Sequence, residues 1–252
     1  MRVISMVPSW TETLIECGVN VVGRTRFCVH PKPSVAAIPA VGGTKDIDWQ
    51  KVKALKPDLL ILDREENPLK MAEECPVEYL ATHITRVEDV ARDLTLMSQK
   101  LESRSSAGMT LDSLALRWRQ AAEAPARERA LESTPAIVTW LRPPAPSVKE
   151  FVYVIWRKPW MAVSRSTFIG SMLVKAGVGH MQRDFGSPYA EFRLEELDPA
   201  HTMLLFSTEP FPFLKQKETP ETVRFAAAVA DGEAYSWFGL RSLKFLESLT
   251  SP

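Results

Sequence analysis

Short apolar runs alternate along the chain with stretches in which apolar residues recur every three or four positions. That pattern predicts strands alternating with helices. Residues 2–7 form a first apolar run, ended by Pro8, and Ser9-Trp10-Thr11-Glu12 then has the spacing of a capping box. The helix it opens carries Leu14 and Ile15 and ends at Gly18; residues 19–22 form a second strand, so the first two dozen residues read as a compact β-α-β unit. Its first loop lies at the carboxyl end of strand one, where open parallel sheets bind ligands. A loop-rich stretch over 24–39 follows, with Phe27, Cys28 and His30 just past the second strand. Gly42-Gly43 lacks phosphate-loop spacing and reads as a tight turn that allows close backbone approach.

The same alternation continues with a helix over 47–56, a buried strand over 58–62, the polar loop 63–67, a helix over 69–75 and a strand over 77–81. Helical periods over 86–101 and 103–124 predict a long helical connector. Beyond it the first half is echoed. A strand over 151–156 leads to Ser164 or Ser166 as a cap, then a helix over 168–176 stopped by Gly177. A helix over 192–198 followed by a strand over 203–207 echoes 47–62, and a strand over 233–236 and a helix over 240–249 close the chain. The proline-flanked run 136–141 is strand-like but has no counterpart in the first half. The predicted fold is α/β: two similar three-layer lobes with mostly parallel sheets, joined by a long connecting helix, with a ligand cleft between them. The predicted division is 1–84, an N-terminal lobe; 85–125, connecting helices; and 126–252, a C-terminal lobe.

Composition narrows the function. Lys+Arg and Asp+Glu balance at 31 each, so no overall field draws the chain to nucleic acid or anionic lipid. No stretch is apolar enough to span a membrane, and no apolar signal core precedes Pro8. A cytoplasmic monomer is expected, or a periplasmic one if a signal peptide has been removed. Three cysteines, Cys17, Cys28 and Cys75, have no metal-type spacing and suggest no disulfide framework. There is no G-x-S-x-G elbow and no assignable Ser/Cys–His–Asp set, so the expectation is no enzyme and no catalytic residue.

The order and spacing of residues 2–23, 55–59, 151–173 and 234–243 resemble the periplasmic-binding-protein superfamily whose two lobes are linked by a long helix. Its members bind cobalamin, haem, ferric siderophores or bare metal ions, and the likeness is greatest to the cobalamin-binding proteins. The resemblance covers nearly the whole chain except 125–150. It implies non-enzymatic binding of a small metal chelate (cobalamin, haem or a ferric siderophore), with no cofactor required and an ABC permease as partner if the chain is exported. The alternative is a cytoplasmic enzyme or metal-handling protein on the same scaffold.

Candidate ligand-binding residues combine strand-end position with chemistry. Ser9, Trp10, Trp156, Trp160 and Trp237 offer aromatic or polar surface near strand ends, and a flat macrocycle favours aromatic faces. The resemblance implies that Trp237 lines the cleft from the second lobe. Phe27 follows the second strand and Gly43 lies in the glycine turn, while Arg64 and Arg157, with Arg26 and Lys158, suit anionic groups on a ligand. Glu65, Glu66 and Glu209 lie in strand-end loops, and exported relatives use one acidic residue per lobe to dock their permease. His30 and His83 are the weak metal candidates, with Cys28-x-His30 as a pair.

Overall fold

In the computed structural model of the chain, the structure describes residues 1–101, 108–215 and 219–250. The chain divides into two compact units, Met1–Glu123 with Trp237–Leu243, and Ala124–Ser236 with Lys244–Pro252.

The first unit runs β1 (Val3–Ser5), α1 (Pro8–Glu16), β2 (Val21–Thr25), α2 (Lys32–Ala36), β3 (Ala40–Gly42), α3 (Trp49–Ala54), β4 (Leu59–Asp63), α4 (Leu69–Glu73), β5 (Tyr79–Thr82), α5 (Val87–Lys100) and α6 (Leu111–Glu123). Its strands form one parallel sheet in the order β3-β2-β1-β4-β5. Every residue of β1 and β4 is buried, as in the middle strands of a sheet covered on both faces. Ile4, Met6, Val41, Val52, Leu60, Leu62 and Met71 pack as one core. Strand order reverses between β1 and β4, the switch point at which such sheets open a crevice at their carboxyl ends.

Two expectations are corrected here, and the close backbone approach expected at Gly42 is found. Pro8 itself opens α1, with its ring-fixed φ suited to the first helical position, so Val7 is the N-cap and makes no side-chain cap bond. Ser9 therefore lies inside the first turn and the capping box does not form. The glycine turn is preceded by a strand, β3. Gly42 has a φ of 157°, and a Cβ there would stand 2.2 Å from the carbonyl of Asp46. The connector is also not one rod: α5 stops at Lys100, where Leu101 is extended, and α5 packs against α6 within the first unit. Residues 103–107 of the expected second helix lie outside the described residues.

The second unit runs β6 (Ile137–Arg142), β7 (Glu150–Trp156), β8 (Met161–Val163), α7 (Phe168–Lys175), β9 (Tyr189–Glu191), β10 (Thr202–Ser207), β11 (Ala226–Ala230) and α8 (Gly232–Ser236); the division between units then passes through α9 (Leu240–Thr250). Its sheet has the order β6-β11-β10-β7-β8-β9. β7, β10 and β11 are parallel, while β6, β8 and β9 are antiparallel additions. The run 136–141 is thus the edge strand β6. Thr167, rather than Ser164 or Ser166, caps α7 by accepting from Gly170 N at 3.0 Å.

Two further expectations fail here. The stretch 192–198 holds only a single 3-10 turn, Leu194–Glu196, because Phe192 N bonds to the carbonyl of Trp160 instead of entering a helix. The stretch 233–236 is helix α8, since Asp231 Oδ1 accepts from Glu233 N and Ala234 N at 3.0 and 3.4 Å and so caps it. The strand of that region is β11, one element earlier.

Candidate functional site

A parallel sheet gathers all its carboxyl-end loops on one edge, and in the first unit five loops meet there. Four of their ends are tied by a buried polar network. Trp10 Nε1 donates to Thr82 Oγ1 at 3.0 Å, and Thr82 Oγ1 donates to Asp63 Oδ2 at 2.6 Å. Asp63 Oδ1 accepts from Glu65 N at 2.9 Å. Asn67 accepts from Asp63 N and donates through Nδ2 to the carbonyls of Met6 and Thr44. Burial pushes the Asp63 carboxyl above the usual carboxylate range, against the hydrogen bonds from Thr82, Glu65 and Glu66 that pull it down. Burial, with Asp63 nearby, also raises Glu66. Lys45 Nζ donates to the carbonyl of Glu66 at 2.5 Å, and His83 Nε2 lies 3.3 Å from Glu65 Oε1.

Around this network, Phe27, just past the end of β2, is 51% exposed with the Arg26 guanidinium 5.0 Å from its ring centre. Arg26 pairs with both oxygens of Asp46 at 2.9 and 2.7 Å; that bond holds Asp46 below the usual carboxylate range and makes Arg26 a neutralised cation. Gly43 follows β3, and a Cβ there would stand 2.7 Å from Arg26 Nη2 and from Asp46 Oδ1, so the pair needs this glycine. Arg64 is exposed at the end of β4.

Trp10 and Ser9 sit at this edge but inward. Trp10 is fully buried, with its indole N–H engaged and Phe238 packed edge-on at 5.0 Å. Ser9 is buried too, and its carbonyl accepts from Thr13 Oγ1. Trp237, expected from the second lobe, belongs to the first unit: its ring lies 5.5 Å from that of His30, and the Arg241 guanidinium sits 5.6 Å over it. Cys28 makes a poor partner for His30 at a metal. Its Sγ lies 3.1 Å from the hydroxyls of both Thr11 and Thr25, and burial pushes the thiol up. Among the described residues there is no group of three or more His, Cys, Asp or Glu side chains placed to hold a metal ion.

In the second unit, the carboxyl ends of β7 and β10 carry aromatic residues and an acid. Trp156 is 39% exposed and packs edge-on against Phe211 at 5.6 Å. Arg157 lies 5.9 Å over Trp160, whose ring stacks nearly parallel to Phe213 and packs with Phe192 and Phe206. Trp160 is therefore half-buried support behind the edge. Glu209 Oε1 accepts from Ser236 Oγ at 3.0 Å. Phe211 was missed in the sequence because Phe-Pro-Phe resembles any apolar loop. The Thr82–Asp63–Asn67 network was missed because its members carry no recognisable sequence spacing and meet only when β4 and β5 pair.

The arrangement can bind and orient a ligand through aromatic faces and exposed cations. No family model matches the chain. A vitamin B12-binding protein of Photorhabdus laumondii is 26% identical over 104 residues, 39% of this chain and 38% of that protein, so the match spans well under half of the relative. Among solved structures, a periplasmic haem-binding protein from Pseudomonas aeruginosa superposes with a TM-score of 0.70 at 20% identity, over 98% of this chain and 90% of that one. The periplasmic vitamin B12-binding protein of Vibrio cholerae gives a TM-score of 0.66 at 16% identity, over 98% and 94%. From end to end, the chain has the α/β fold of periplasmic solute-binding proteins.

Proposed function

We propose that the chain is a non-enzymatic binder of a flat metal chelate of the corrinoid or haem class, contacted by aromatic and cationic side chains at strand ends. The observation that carries this reading is Trp156: a large aromatic left 39% exposed at a strand end, with Phe211 against its edge, in a fold used by cobalamin- and haem-binding proteins. Exposed indole is a stacking surface for a conjugated ring. The exposed cations Arg64 and Lys158, with Arg157 over Trp160, suit anionic substituents. A ferric siderophore is the third ligand class the same surfaces fit. Delivery to an ABC permease, with Glu209 and an acid of the 63–67 loop as docking groups, and a periplasmic location belong to this reading.

The test is a titration of tryptophan fluorescence with hemin and with cyanocobalamin. One of them is expected to quench saturably without being consumed. Trp156→Ala should weaken that ligand about five- to thirtyfold, as loss of a stacking face and part of its apolar area is worth roughly 1–2 kcal/mol. Unchanged affinity in a folded Trp156→Ala protein would remove Trp156 from the contact and overturn the observation that carries this reading.

A further inference from the structure

The segment 237–243 is the one stretch beyond α6 that belongs to the first unit, and it is fastened there at several points. Arg241 makes a two-pronged pair with Glu12 of α1, Nε to Oε2 at 2.7 Å and Nη2 to Oε1 at 3.0 Å. Both side chains are largely buried, at 29% and 10% exposure. Leu240 N donates to Thr13 Oγ1 at 3.1 Å, and Trp118 Nε1 donates to the carbonyl of Gly239 at 2.9 Å. Gly239 has a φ of 102°, a left-handed conformation that lets the chain turn tightly beside Thr13.

Trp237 sits at the start of this segment, with the Arg241 guanidinium over one part of its ring and His30 packed against it. His30 lies just past the carboxyl end of β2, so Trp237 is held at the ligand-facing edge of the first sheet. The indole's orientation depends on where Arg241 stands, and the planar guanidinium is aimed by both carboxylate oxygens of Glu12.

We propose that Glu12 and Arg241 are positioning residues that set the ring plane of Trp237, so that affinity for a flat chelate depends on an ion pair acting through the indole. The proposal rests on the binder reading above, and its test separates the two. Affinities for hemin and cyanocobalamin are measured for the full chain, for Glu12→Gln and Trp237→Phe, and for the double variant. Arg241→Lys serves as a second probe of the pair if Glu12→Gln fails to fold. In the native background Glu12→Gln breaks the two-pronged pair and should weaken the bound probe five- to tenfold, which is roughly 1–1.4 kcal/mol. In the Trp237→Phe background the same change should weaken it less than twofold, because its effect runs through the indole. Additive losses in the two backgrounds, or no loss at all, would overturn the proposal. In parallel, the protein is labelled with 5-fluorotryptophan and the Trp237 resonance identified by its disappearance in Trp237→Phe. Glu12→Gln or Arg241→Lys should shift that resonance without ligand. If the full chain binds neither probe, the binder reading fails, and an unmoved Trp237 resonance then overturns the positioning role as well.

Discussion

Thr82→Val isolates the buried network at the edge of the first sheet. Valine keeps the shape of threonine but removes the hydroxyl that accepts from Trp10 Nε1 at 3.0 Å and donates to Asp63 Oδ2 at 2.6 Å. Both partners are buried, so neither recovers its bond from water. An orphaned buried N–H costs about 1–3 kcal/mol, and a lost bond to a charged group about 1.5–3 kcal/mol. With partial relaxation the sum at neutral pH is about 2–5 kcal/mol. The carboxylate share depends on pH. The folded-state pKa of Asp63 is raised by burial, so the folded chain holds this proton more tightly than the unfolded chain. That contribution to stability is fully present below the unfolded carboxylate value and is lost as pH rises through the folded one. Without the Thr82 hydroxyl the folded pKa rises further, since a bond favouring the ionised form has gone. The deficit of Thr82→Val relative to the native chain should therefore fall near pH 4 to the pH-independent Trp10 share, about 1–3 kcal/mol, and grow toward pH 7. Urea unfolding followed by tryptophan fluorescence at several pH values reads this directly. A deficit that is the same at both ends of the range, or below about 1 kcal/mol at pH 7, would refute the network's assigned role.

Other outcomes follow from single contacts. Gly239→Ala combines a left-handed φ of 102° with a Cβ 2.3 Å from Thr13 Oγ1, and should lower stability by about 1–3 kcal/mol in thermal unfolding. Cys17, pushed up to about 12 by burial, and Cys28, raised for the same reason, should resist iodoacetamide at pH 8 in the folded chain. The half-exposed Cys75 should react first, and mass spectrometry of the alkylated chain locates the label.

Much of the α/β alternation was legible because it is written in burial. Leu59-Leu60-Ile61-Leu62 is an unbroken apolar run, and β4 is buried along its whole length. Strand β11 was invisible for the opposite reason: Ala-Ala-Ala-Val-Ala has small side chains and weak strand preference, and only its place between β10 and β6 makes it a strand. The motif at Ser9–Glu12 failed because a proline one residue earlier took over the helix start, leaving Glu12 for Arg241. Trp10 and Trp237 show how far strand-end position reaches. It brought Trp10 to the edge of the first sheet, but whether an indole is spent inside on Thr82 and Phe238 or held beside His30 is decided by residues more than seventy positions away. Chain order alone placed Trp237 with the second half, whereas its contacts belong to the first unit.

Native mass spectrometry of the full chain, incubated with hemin or cyanocobalamin and then denatured to release what was bound, addresses the central claim most directly. The expected result is a mass increment of one intact chelate per chain for at least one of the two, with the released chelate chemically unchanged. No increment at micromolar ligand, or a chelate released in altered form, would contradict a non-enzymatic binder of this class.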